Sequence, residues 1–464
     1  MESLRAYVVW LLPALCIAVG DASASGEQIL KVTSLPEAPP VEDGHLYFTT
    51  EEEDFSPDSV SLRLHHVDAL QEMKAPMHLF HARLQRDASR VSSIFGHVKR
   101  ARSLGFNSSV ISGLSQGSGE YFTRIGVGTP ARYAYVVLDT GSDLLWVQCS
   151  PCKKCYSQKD PIFNPAASST FSGIPCQSLL CRSLDSAGCD SKRKVCLYEV
   201  SYGDGSFTLG EFSTETLTFR GTRVPAVALG CGHDDEGLFV GAAGLLGLGR
   251  GRLSFPGQTG SRFNHKFSYC LSARSPSSRP SSLIFGDSSI SRVARFTPLM
   301  KNTILDTFYY VRLMGFSVGS IAVSGITPAL FKLDRMGDGG VIIDSGTSVT
   351  RLTRPAYVAL RNAFLVASRH LKRAPSYSLF DACFDFSGLA EVKVPTLVLH
   401  FKGTDLSLPA ANYLIPVDNN TRFCFAFAPT GGGLSIIGNI QQQGIRISYD
   451  LANSLVGFAT GSCD

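Results

Sequence analysis

Tryptophan, charged residues and long apolar runs are all scarce in this chain of 464 residues. It has 2 Trp and 18% charged residues. It lacks any apolar run of about 18 residues, which excludes a polytopic membrane protein. The net charge of +4 is too small by itself to indicate nucleic-acid binding. The 44% hydrophobic content excludes a disordered tail. Its 44 Gly, 29 Phe and 15 Tyr favour short strands and turns over long charged helices.

The first 24 residues have the pattern of a secretory signal peptide. A short start ends at Arg5, an apolar stretch follows over residues 6–20, and Ala22-Ser23-Ala24 forms a small-residue cleavage site. An uncleaved membrane anchor is the alternative. The C-terminus lacks the hydrophobic tail of a lipid-anchor signal. We therefore expect an exported protein that leaves the membrane after cleavage of residues 1–24.

Cysteine usage agrees with export. Cys16 lies in the signal, which leaves Cys149, Cys152, Cys155, Cys176, Cys181, Cys189, Cys196, Cys231, Cys270, Cys383, Cys424 and Cys463. Twelve cysteines in an exported chain predict six disulfides, and the seven between positions 149 and 196 indicate a stapled insertion. The Cys-x2-Cys-x2-Cys spacing at the start of this insertion is also compatible with zinc or a redox pair. Because the export route is oxidising, we expect disulfides and no metal.

Two Asn-x-Ser/Thr triplets predict N-glycosylation at Asn107 and Asn419. Both sites fit a surface location in an exported protein.

Residues 25–102, called the N-terminal segment below, differ in charge from the rest of the chain. Residues 25–59 carry nine carboxylates against one Lys, which predicts an extended or disordered stretch. Residues 60–102 have eight basic and three acidic side chains, a net charge of +5. Within them the pattern predicts a strand at 60–64 and a helix at 77–98. The segment ends in a basic run at 99–102, which is typical of a processing site, so we expect a propeptide.

From residue 103 the pattern predicts an all-β protein. Short apolar runs, most of them bounded by Gly, Pro, Asp or Ser, recur at 121–128, 134–138, 224–229, 308–313, 341–343, 394–400 and 445–449. Two short helices are predicted at 253–257 and 354–370.

An internal repeat divides this region. Residues 137–142, VLDTGS, match residues 342–347, IIDSGT. Each copy is followed about 100 residues later by an apolar-apolar-Gly run, at 244–249 and at 435–439. We therefore expect two related lobes, an N-terminal lobe at 103–300 and a C-terminal lobe at 301–464.

The repeated turn carries chemistry because it ends a buried strand in a carboxylate, Asp139 or Asp344. Gly allows a tight turn, and the neighbouring hydroxyls supply hydrogen bonds to the carboxylate. Two copies in matching lobes can bring the carboxylates face to face, where the pair holds one shared proton. One member then acts as base and the other as acid toward water, which hydrolyses a peptide bond without a metal or a cofactor.

Five motifs resemble those of the pepsin-like aspartic proteases: DTGSDLLWVQC (139–149), YGDGS (202–206), LLGLGRG (245–251), DSGTSVTRL (344–352) and SIIGNI (435–440). The Cys-rich insertion resembles the plant nepenthesin-type, or atypical, branch. The resemblance covers residues 115–464, and it extends to the N-terminal segment. It implies an all-β, bilobal fold with an interlobe cleft, and an aspartic endopeptidase made as a zymogen.

The resemblance implies roles for individual residues. Asp139 and Asp344 would be the catalytic pair that activates water. The matching residues that orient the pair or support substrate would be Ser142, Thr347, Gly141, Gly346, Tyr202 and Trp146. Among these, Tyr202 would be the tyrosine of a mobile Gly-rich flap, and Trp146 would support it. Ser345 stands where many family members have Thr, a loss of one methyl group for which we expect a small packing penalty.

The branch pattern suggests a disulfide pairing, although the sequence alone does not determine it. The suggested bonds are Cys149–Cys152, Cys155–Cys231, Cys176–Cys196, Cys181–Cys189, Cys270–Cys463 and Cys383–Cys424.

The basic part of the N-terminal segment faces an acidic pair, so we expect it to dock in the cleft and to leave when carboxylates are protonated. Replacing Arg83, Arg86 and Arg90 by Ala should then speed activation.

Two other function classes are open. Some plant relatives keep the fold without catalysis and inhibit cell-wall glycosidases, but here both Asp and the flap Tyr are present. Nucleic-acid binding through the +8 charge of residues 103–464 lacks a basic-aromatic motif. The leading expectation is a monomeric protease of polypeptides, secreted to the apoplast or, alternatively, delivered to the vacuole.

Overall fold

The computed structural model describes residues 26–35, 59–70, 75–101, 121–201, 207–237, 241–272, 281–418, 421–461 and 463. The signal peptide, both glycosylation sites (Asn107 and Asn419) and Tyr202 lie outside these residues. In the described part of the chain, no helix combines the length and the apolar character needed to cross a membrane.

Strands dominate both lobes, whereas the described part of the N-terminal segment has one long helix and two strands. The N-terminal segment contains β1 (Glu27–Lys31), β2 (Val60–His66), a 3-10 helix (Val67–Leu70) and α1 (Pro76–Ala101). The N-terminal lobe contains β3 (Tyr121–Val127), β4 (Arg132–Asp139), β5 (Trp146–Gln148), β6 (Ser172–Gly173), β7 (Ala187–Asp190), β8 (Val195–Ser201), β9 (Phe207–Phe219), β10 (Thr222–Glu236), β11 (Gly244–Gly247), α2 (Phe255–Thr259), β12 (Lys266–Cys270), β13 (Ser281–Phe285) and β14 (Arg295–Met300).

The C-terminal lobe contains β15 (Tyr309–Val311), β16 (Leu313–Val318), β17 (Ile321–Ala322), β18 (Val341–Ile343), β19 (Thr350–Thr353), α3 (Arg354–Ala367), β20 (Arg373–Ala374), β21 (Cys383–Asp385), β22 (Glu391–Pro395), β23 (Leu397–Phe401), β24 (Thr404–Leu408), β25 (Leu414–Pro416), β26 (Arg422–Phe425), β27 (Phe427–Thr430), β28 (Ser435–Ile437), β29 (Ile445–Asp450) and β30 (Leu455–Thr460). Further 3-10 helices are Pro165–Ala167, Cys181–Ser183, Asp287–Ser289, Pro328–Phe331, Ala410–Asn412 and Asn439–Gln442. The all-β prediction is confirmed.

The sequence repeat corresponds to a repeated strand arrangement. Strand β4, which ends in Asp139, runs parallel to β11, and β18, which precedes Asp344, runs parallel to β28. In each lobe a further strand lies antiparallel to the apolar-apolar-Gly strand, β5 beside β11 and β19 beside β28. The two aspartates therefore leave their sheets at equivalent positions.

The N-terminal segment is built into the sheets of both lobes. Strand β2 lies between β3 and β13, in an antiparallel sheet with the order β3-β2-β13-β12-β29-β30-β14. Strand β1 pairs with β22 at the edge of the C-terminal lobe. The sequence predicted that residues 25–59 are extended or disordered, and Glu27–Lys31 are extended because they form strand β1.

Helix α1 packs its apolar face on the C-terminal lobe. Phe80 and Leu84 pack in a cluster with Val349, and Ile94 packs in another with Ile342. The same helix also buries charged side chains: Arg83, Arg86, Asp87 and Arg90. Since buried charges require partners, these residues indicate specific contacts with the lobes.

Among the residues that it describes, the structure contains six disulfides, which is the predicted number, but four of the six predicted pairings are wrong. The bonds are Cys149–Cys231, Cys152–Cys155, Cys176–Cys189, Cys181–Cys196, Cys270–Cys463 and Cys383–Cys424. Strand β5 runs parallel to β10, which brings the Cα atoms of Cys149 and Cys231 within 5.3 Å. All three cysteines of the Cys-x2-Cys-x2-Cys run are oxidised, so their thiolates are not available to a metal.

Candidate active site

Asp139 and Asp344 lie together at the junction of the two lobes. Asp139 ends β4 and Asp344 follows β18, and their exposed fractions are 1% and 0%. Each carboxylate accepts a hydrogen bond from the glycine two residues later, from Gly141 N at 2.9 Å and from Gly346 N at 3.1 Å. The two turns thus hold their carboxylates in the same way.

The glycines at 141 and 346 are required by close approach between the lobes. A Cβ atom on Gly141 would lie 2.9 Å from Asp344 Oδ1, and one on Gly346 would lie 2.8 Å from Asp139 Oδ1. Both distances are shorter than ordinary van der Waals contact. A side chain at either position would therefore push the two carboxylates apart.

The hydroxyl residues at positions 140 and 345 connect the turns. Ser345 N donates to Thr140 Oγ1 at 2.9 Å, and Thr140 N donates to Ser345 Oγ at 3.2 Å. The two hydroxyls are also 3.2 Å apart in a hydrogen bond. Ser345 therefore preserves the function that a Thr would serve here, because only its hydroxyl is used.

The other two predicted hydroxyls each form a hydrogen bond with the aspartate of their own turn. Thr347 Oγ1 donates to Asp344 Oδ2 at 2.5 Å. The Ser142 hydroxyl forms a side-chain hydrogen bond with Asp139 that helps to lower the pKa of this carboxyl. The outer oxygens of both aspartates also accept a hydrogen bond from one residue elsewhere in the chain.

That residue is Arg90 of α1, whose guanidinium lies between the two carboxylates. Nη1 and Nη2 donate to the two oxygens of Asp139 at 2.9 and 2.6 Å. Nη2 and Nε donate to the two oxygens of Asp344 at 2.8 and 3.0 Å. One nitrogen therefore bonds both inner oxygens, and Arg90 is only 1% exposed.

This contact controls the electrostatics of the pair. Burial raises the pKa of Asp139, but the charge and hydrogen bonds of Arg90 lower it by a larger amount. The net pKa of Asp139 therefore lies below the ordinary value. Burial would lower the pKa of Arg90, but both carboxylates raise it well above its ordinary value. The guanidinium is therefore fixed as a cation in the cleft.

Trp146 is fully buried on β5, with its ring edge-on to Tyr156 at 6.5 Å between centroids. Its predicted partner, Tyr202, lies outside the described residues. On the strands that flank residue 202, the hydroxyl of Tyr198 on β8 lies 2.6 Å from that of Thr208 on β9, in a hydrogen bond. The Thr208 hydroxyl also donates to Asp235 at 2.5 Å.

Asp87 and Arg351 were not predicted as site residues. Asp87 Oδ1 accepts hydrogen bonds from Ser348 N at 2.8 Å and Val349 N at 2.9 Å. Its other oxygen pairs with Arg351. The spacing in the sequence could have revealed Asp87, because it lies one helical turn before Arg90 and both residues therefore project from one face of α1.

Within the described residues, no group of three or more His, Cys, Asp or Glu side chains is arranged to hold a metal ion. The arrangement instead provides two carboxylates that can exchange a proton with a small molecule placed between them, which is general acid–base chemistry.

Comparison with known proteins gives consistent relatives. One family model, described as xylanase inhibitor N-terminal, matches residues 121–287, and a second, described as xylanase inhibitor C-terminal, matches residues 308–460. Over 414 residues the chain is 68% identical to Aspartyl protease family protein 2 of Arabidopsis thaliana, covering 87% of this chain and 85% of that protein. It is 43% identical to aspartic proteinase nepenthesin-1 of Nepenthes gracilis over 352 residues, covering 75% and 79%.

Solved structures agree on the fold. The chain is similar to the crystal structure of edgp, with a TM-score of 0.60 and 22% identity over 88% of this chain and 96% of that one. It is also similar to Basic 7S globulin from soybean, with a TM-score of 0.58 and 22% identity over 75% and 95%. At these identities the likeness concerns the fold alone, and it confirms the predicted bilobal, pepsin-like architecture.

Proposed function

This chain belongs to the plant aspartyl protease family and is an aspartic-type endopeptidase, and from this premise we propose that Asp139 and Asp344 are its catalytic pair and that it is made as an exported zymogen. The observation that supports the pair is the shared contact of Asp139 Oδ1 and Asp344 Oδ1 with one nitrogen of Arg90, at 2.6 and 2.8 Å. Two carboxylates that accept hydrogen bonds from one nitrogen atom can also accept them from one water molecule in the same place.

The chemistry follows from the sharing of a proton. Two close carboxylates do not both ionise easily, so one keeps a proton while the other stays charged. The charged member takes a proton from the water, whose oxygen attacks the carbonyl carbon of the peptide bond. The protonated member donates to the carbonyl oxygen, which gives a tetrahedral diol. Gly141 and Gly346, together with the Thr140–Ser345 contact, keep the pair at the required separation.

The zymogen proposal rests on the place of Arg90. Its guanidinium occupies the position that water needs, and α1 covers the adjoining cleft with buried side chains. Strand β2 of the same segment lies between β3 and β13 in the antiparallel sheet to which both lobes contribute strands. Full activity therefore requires α1 to leave the cleft, after cleavage near residues 99–102.

Export is supported by the apolar leader at 1–24 and by six disulfides. We propose secretion, with the vacuole as the alternative destination, and glycosylation at Asn107 and Asn419. The substrates are polypeptides, since the pair lies in a cleft long enough to hold α1. The enzyme acts as a monomer without nucleic acid.

The test is hydrolysis of a denatured protein substrate across pH by wild type, Asp139→Asn and Asp344→Asn. Each variant should lose at least about 100-fold in rate, because each removes one member of an acid–base pair. Asp287→Asn is the control, since Asp287 is an exposed carboxylate paired with Lys266. If either active-site variant keeps the wild-type rate, the catalytic assignment is wrong.

A second candidate is a binding protein of the same fold. The family models that match both lobes are described as halves of a xylanase inhibitor. The intact pair of aspartates favours hydrolysis. Absence of proteolysis by the acid-treated protein, together with inhibition of a xylanase, would favour the binding protein.

A further inference from the structure

Asp87 occupies a carboxylate-binding site in the C-terminal lobe. The carboxylate is fully buried and contacts three donors from one short stretch of chain: Ser348 N at 2.8 Å, Val349 N at 2.9 Å and the Arg351 guanidinium. All three donors belong to the lobe, whereas Asp87 belongs to the N-terminal segment. Departure of α1 would therefore leave the donors in place without this acceptor.

This site lies beside the catalytic pair. Asp87 precedes Arg90 by three residues of helix, about 4.5 Å along the helix axis. An extended peptide advances about 3.3 Å per residue, so a side chain reaching the same donors lies within about three residues of the bond at the aspartates. Ser348 also follows Asp344 closely along the chain, which ties the site to the catalytic turn.

Comparison of the two lobes shows that the fold does not require an arginine here. Arg351 follows Asp344 by seven residues, and Trp146 follows Asp139 by the same interval. The two also have equivalent strand positions, with Trp146 opposite Leu245 and Arg351 opposite Ile436. One scaffold position thus holds an indole in one lobe and a guanidinium in the other.

The donors have unused capacity even with Asp87 bound. Arg351 Nε and Ser348 Oγ are buried without hydrogen-bond partners in the described part of the chain. Arg351 is only 6% exposed. Removing one partner of a buried ion pair leaves a charge whose burial is uncompensated. Another carboxylate would restore the lost contacts.

We propose that, once α1 has left the cleft, Ser348, Val349 and Arg351 bind the carboxylate of a Glu or Asp side chain of the polypeptide substrate. The enzyme then prefers an acidic residue within three residues of the cleaved bond. This inference rests on the proposed function and adds a substrate class to it. Asp87 holds the same site in the full-length chain.

The experiment uses acid-activated enzyme and a neutral peptide with one cleavage point. Gln is placed in turn at each of the three positions on either side of that bond, and each peptide is compared with its Glu counterpart at about pH 5.5, where a free Glu is ionised. Because hydrogen bonds to a charged group are strong, kcat/KM should favour Glu over Gln about tenfold at one position. A ratio near one at all six positions overturns the proposal.

Two variants of Arg351 test whether this side chain causes the preference for Glu over Gln. In Arg351→Gln the Glu/Gln ratio should fall to about one, and in Arg351→Lys it should stay between the two values. The ratio is measured within one enzyme preparation, so partial misfolding cancels. Arg361→Gln is the control and should keep the tenfold ratio, because Arg361 pairs with Asp381 on the surface instead. A tenfold ratio retained in Arg351→Gln overturns the proposal.

A binding measurement distinguishes failure of the proposed function from failure of this inference. If none of the peptides is cut, binding of the same Glu and Gln peptides is measured by fluorescence anisotropy on an Asp87→Ala/Arg90→Gln double variant, in which the three donors have lost their own acceptor and α1 is held less tightly. Tighter binding of the Glu peptide by about tenfold would support the acidic site without proteolysis. Equal binding of the two peptides would overturn it.

Discussion

The Thr140 hydroxyl accepts a hydrogen bond from Ser345 N at 2.9 Å, and the Ser345 hydroxyl accepts one from Thr140 N at 3.2 Å. Each lobe thereby supplies a donor and an acceptor to the other, one residue after the aspartate that we propose to be catalytic. Both residues are buried, so no water replaces a lost partner. The separation of the two carboxylates depends on this contact.

We expect Thr140→Val, which keeps the branched shape but removes the hydroxyl, to lower the free energy of unfolding by about 1–3 kcal/mol, because it leaves Ser345 N buried without an acceptor. The rate of peptide hydrolysis should fall as well. Denaturant unfolding measures the first and kcat the second. Thr404→Val on β24 is the matched control and should change stability by about 0.5 kcal/mol or less. Equal stability of the two variants would show that the contact is dispensable.

A second prediction concerns Arg90 and the pH of activation. Asp139 has a depressed pKa while Arg90 is bound, so this contribution to docking of α1 is present above the ordinary pKa of Asp. It is lost as the pH falls through the depressed value, so we expect acid to release α1. In Arg90→Gln the two carboxylates lose their counter-charge, which should weaken docking by about 3–5 kcal/mol. Activation should then begin at a higher pH and proceed faster.

Conversion of the full chain to a shorter form, followed on gels between pH 3 and 7, measures this effect. Arg63→Gln is the control, because Arg63 is an exposed basic residue of the same segment. Arg83→Gln and Arg86→Gln should have smaller effects, since Arg83 contacts His66 and Arg86 lies 3.8 Å from Asp68. An activation profile for Arg90→Gln that overlays wild type would contradict the assignment.

The pairing of Asp139 with Asp344 could be predicted from the sequence because its information is local and repeated. The turns around Asp139 and Asp344 each follow an apolar strand, and each strand has an apolar-apolar-Gly partner about 100 residues later. Those partners are parallel neighbours in the structure. A repeated motif therefore predicted a repeated geometry.

The disulfide pairing and the role of each arginine could not be predicted in this way. Nothing near Cys149 in the sequence indicates that β5 runs parallel to β10, which is what selects Cys231. Arg83, Arg86 and Arg90 are equivalent by charge, and only the docking of α1 on the C-terminal lobe sends Arg90 to the aspartates. Both results depend on contacts between residues distant in the chain.

Asp235 gives a third prediction, on stability in acid. Burial and, to a smaller extent, the charge of Asp234 raise its pKa, and the hydrogen bond from Thr208 lowers it; the net pKa is about 7. Since the folded state holds this proton more tightly than the unfolded chain, the stabilisation is full below the ordinary pKa of Asp and is lost as the pH rises through about 7. The protein with Asp235 should lose stability between pH 4 and pH 8. We expect Asp235→Asn to make this loss smaller by about 2–4 kcal/mol.

Unfolding by denaturant at both pH values tests this, in an Asp344→Asn background that prevents self-cleavage. Asp405→Asn is the comparison, because Asp405 is exposed and pairs with His400. The Asp235 variant should be more stable than its background at pH 8 and similar to it at pH 4. A difference of the same size at both pH values would rule out the buried proton as the cause.

The fourth prediction ranks two disulfides that begin in the Cys-rich insertion. Cys149–Cys231 closes a loop with a sequence separation of 82, whereas Cys152–Cys155 has a separation of 3. The entropy lost by the unfolded chain grows with loop length, about 4.5 kcal/mol for the long loop and about 1.6 kcal/mol for the short one. Replacing both cysteines of the long loop by Ser should therefore destabilise the protein by about 3 kcal/mol more than replacing both cysteines of the short loop.

Denaturant unfolding of the two double variants measures this difference, and mass spectrometry of unreduced peptides checks the pairing itself. Cys149 should be found linked to Cys231 and Cys152 to Cys155. Because Cys149 is fully buried at the end of β5, its loss also opens the core of the N-terminal lobe, which acts in the same direction. Equal destabilisation by the two double variants, or a peptide linking Cys155 to Cys231, would contradict the parallel β5–β10 arrangement on which the pairing depends.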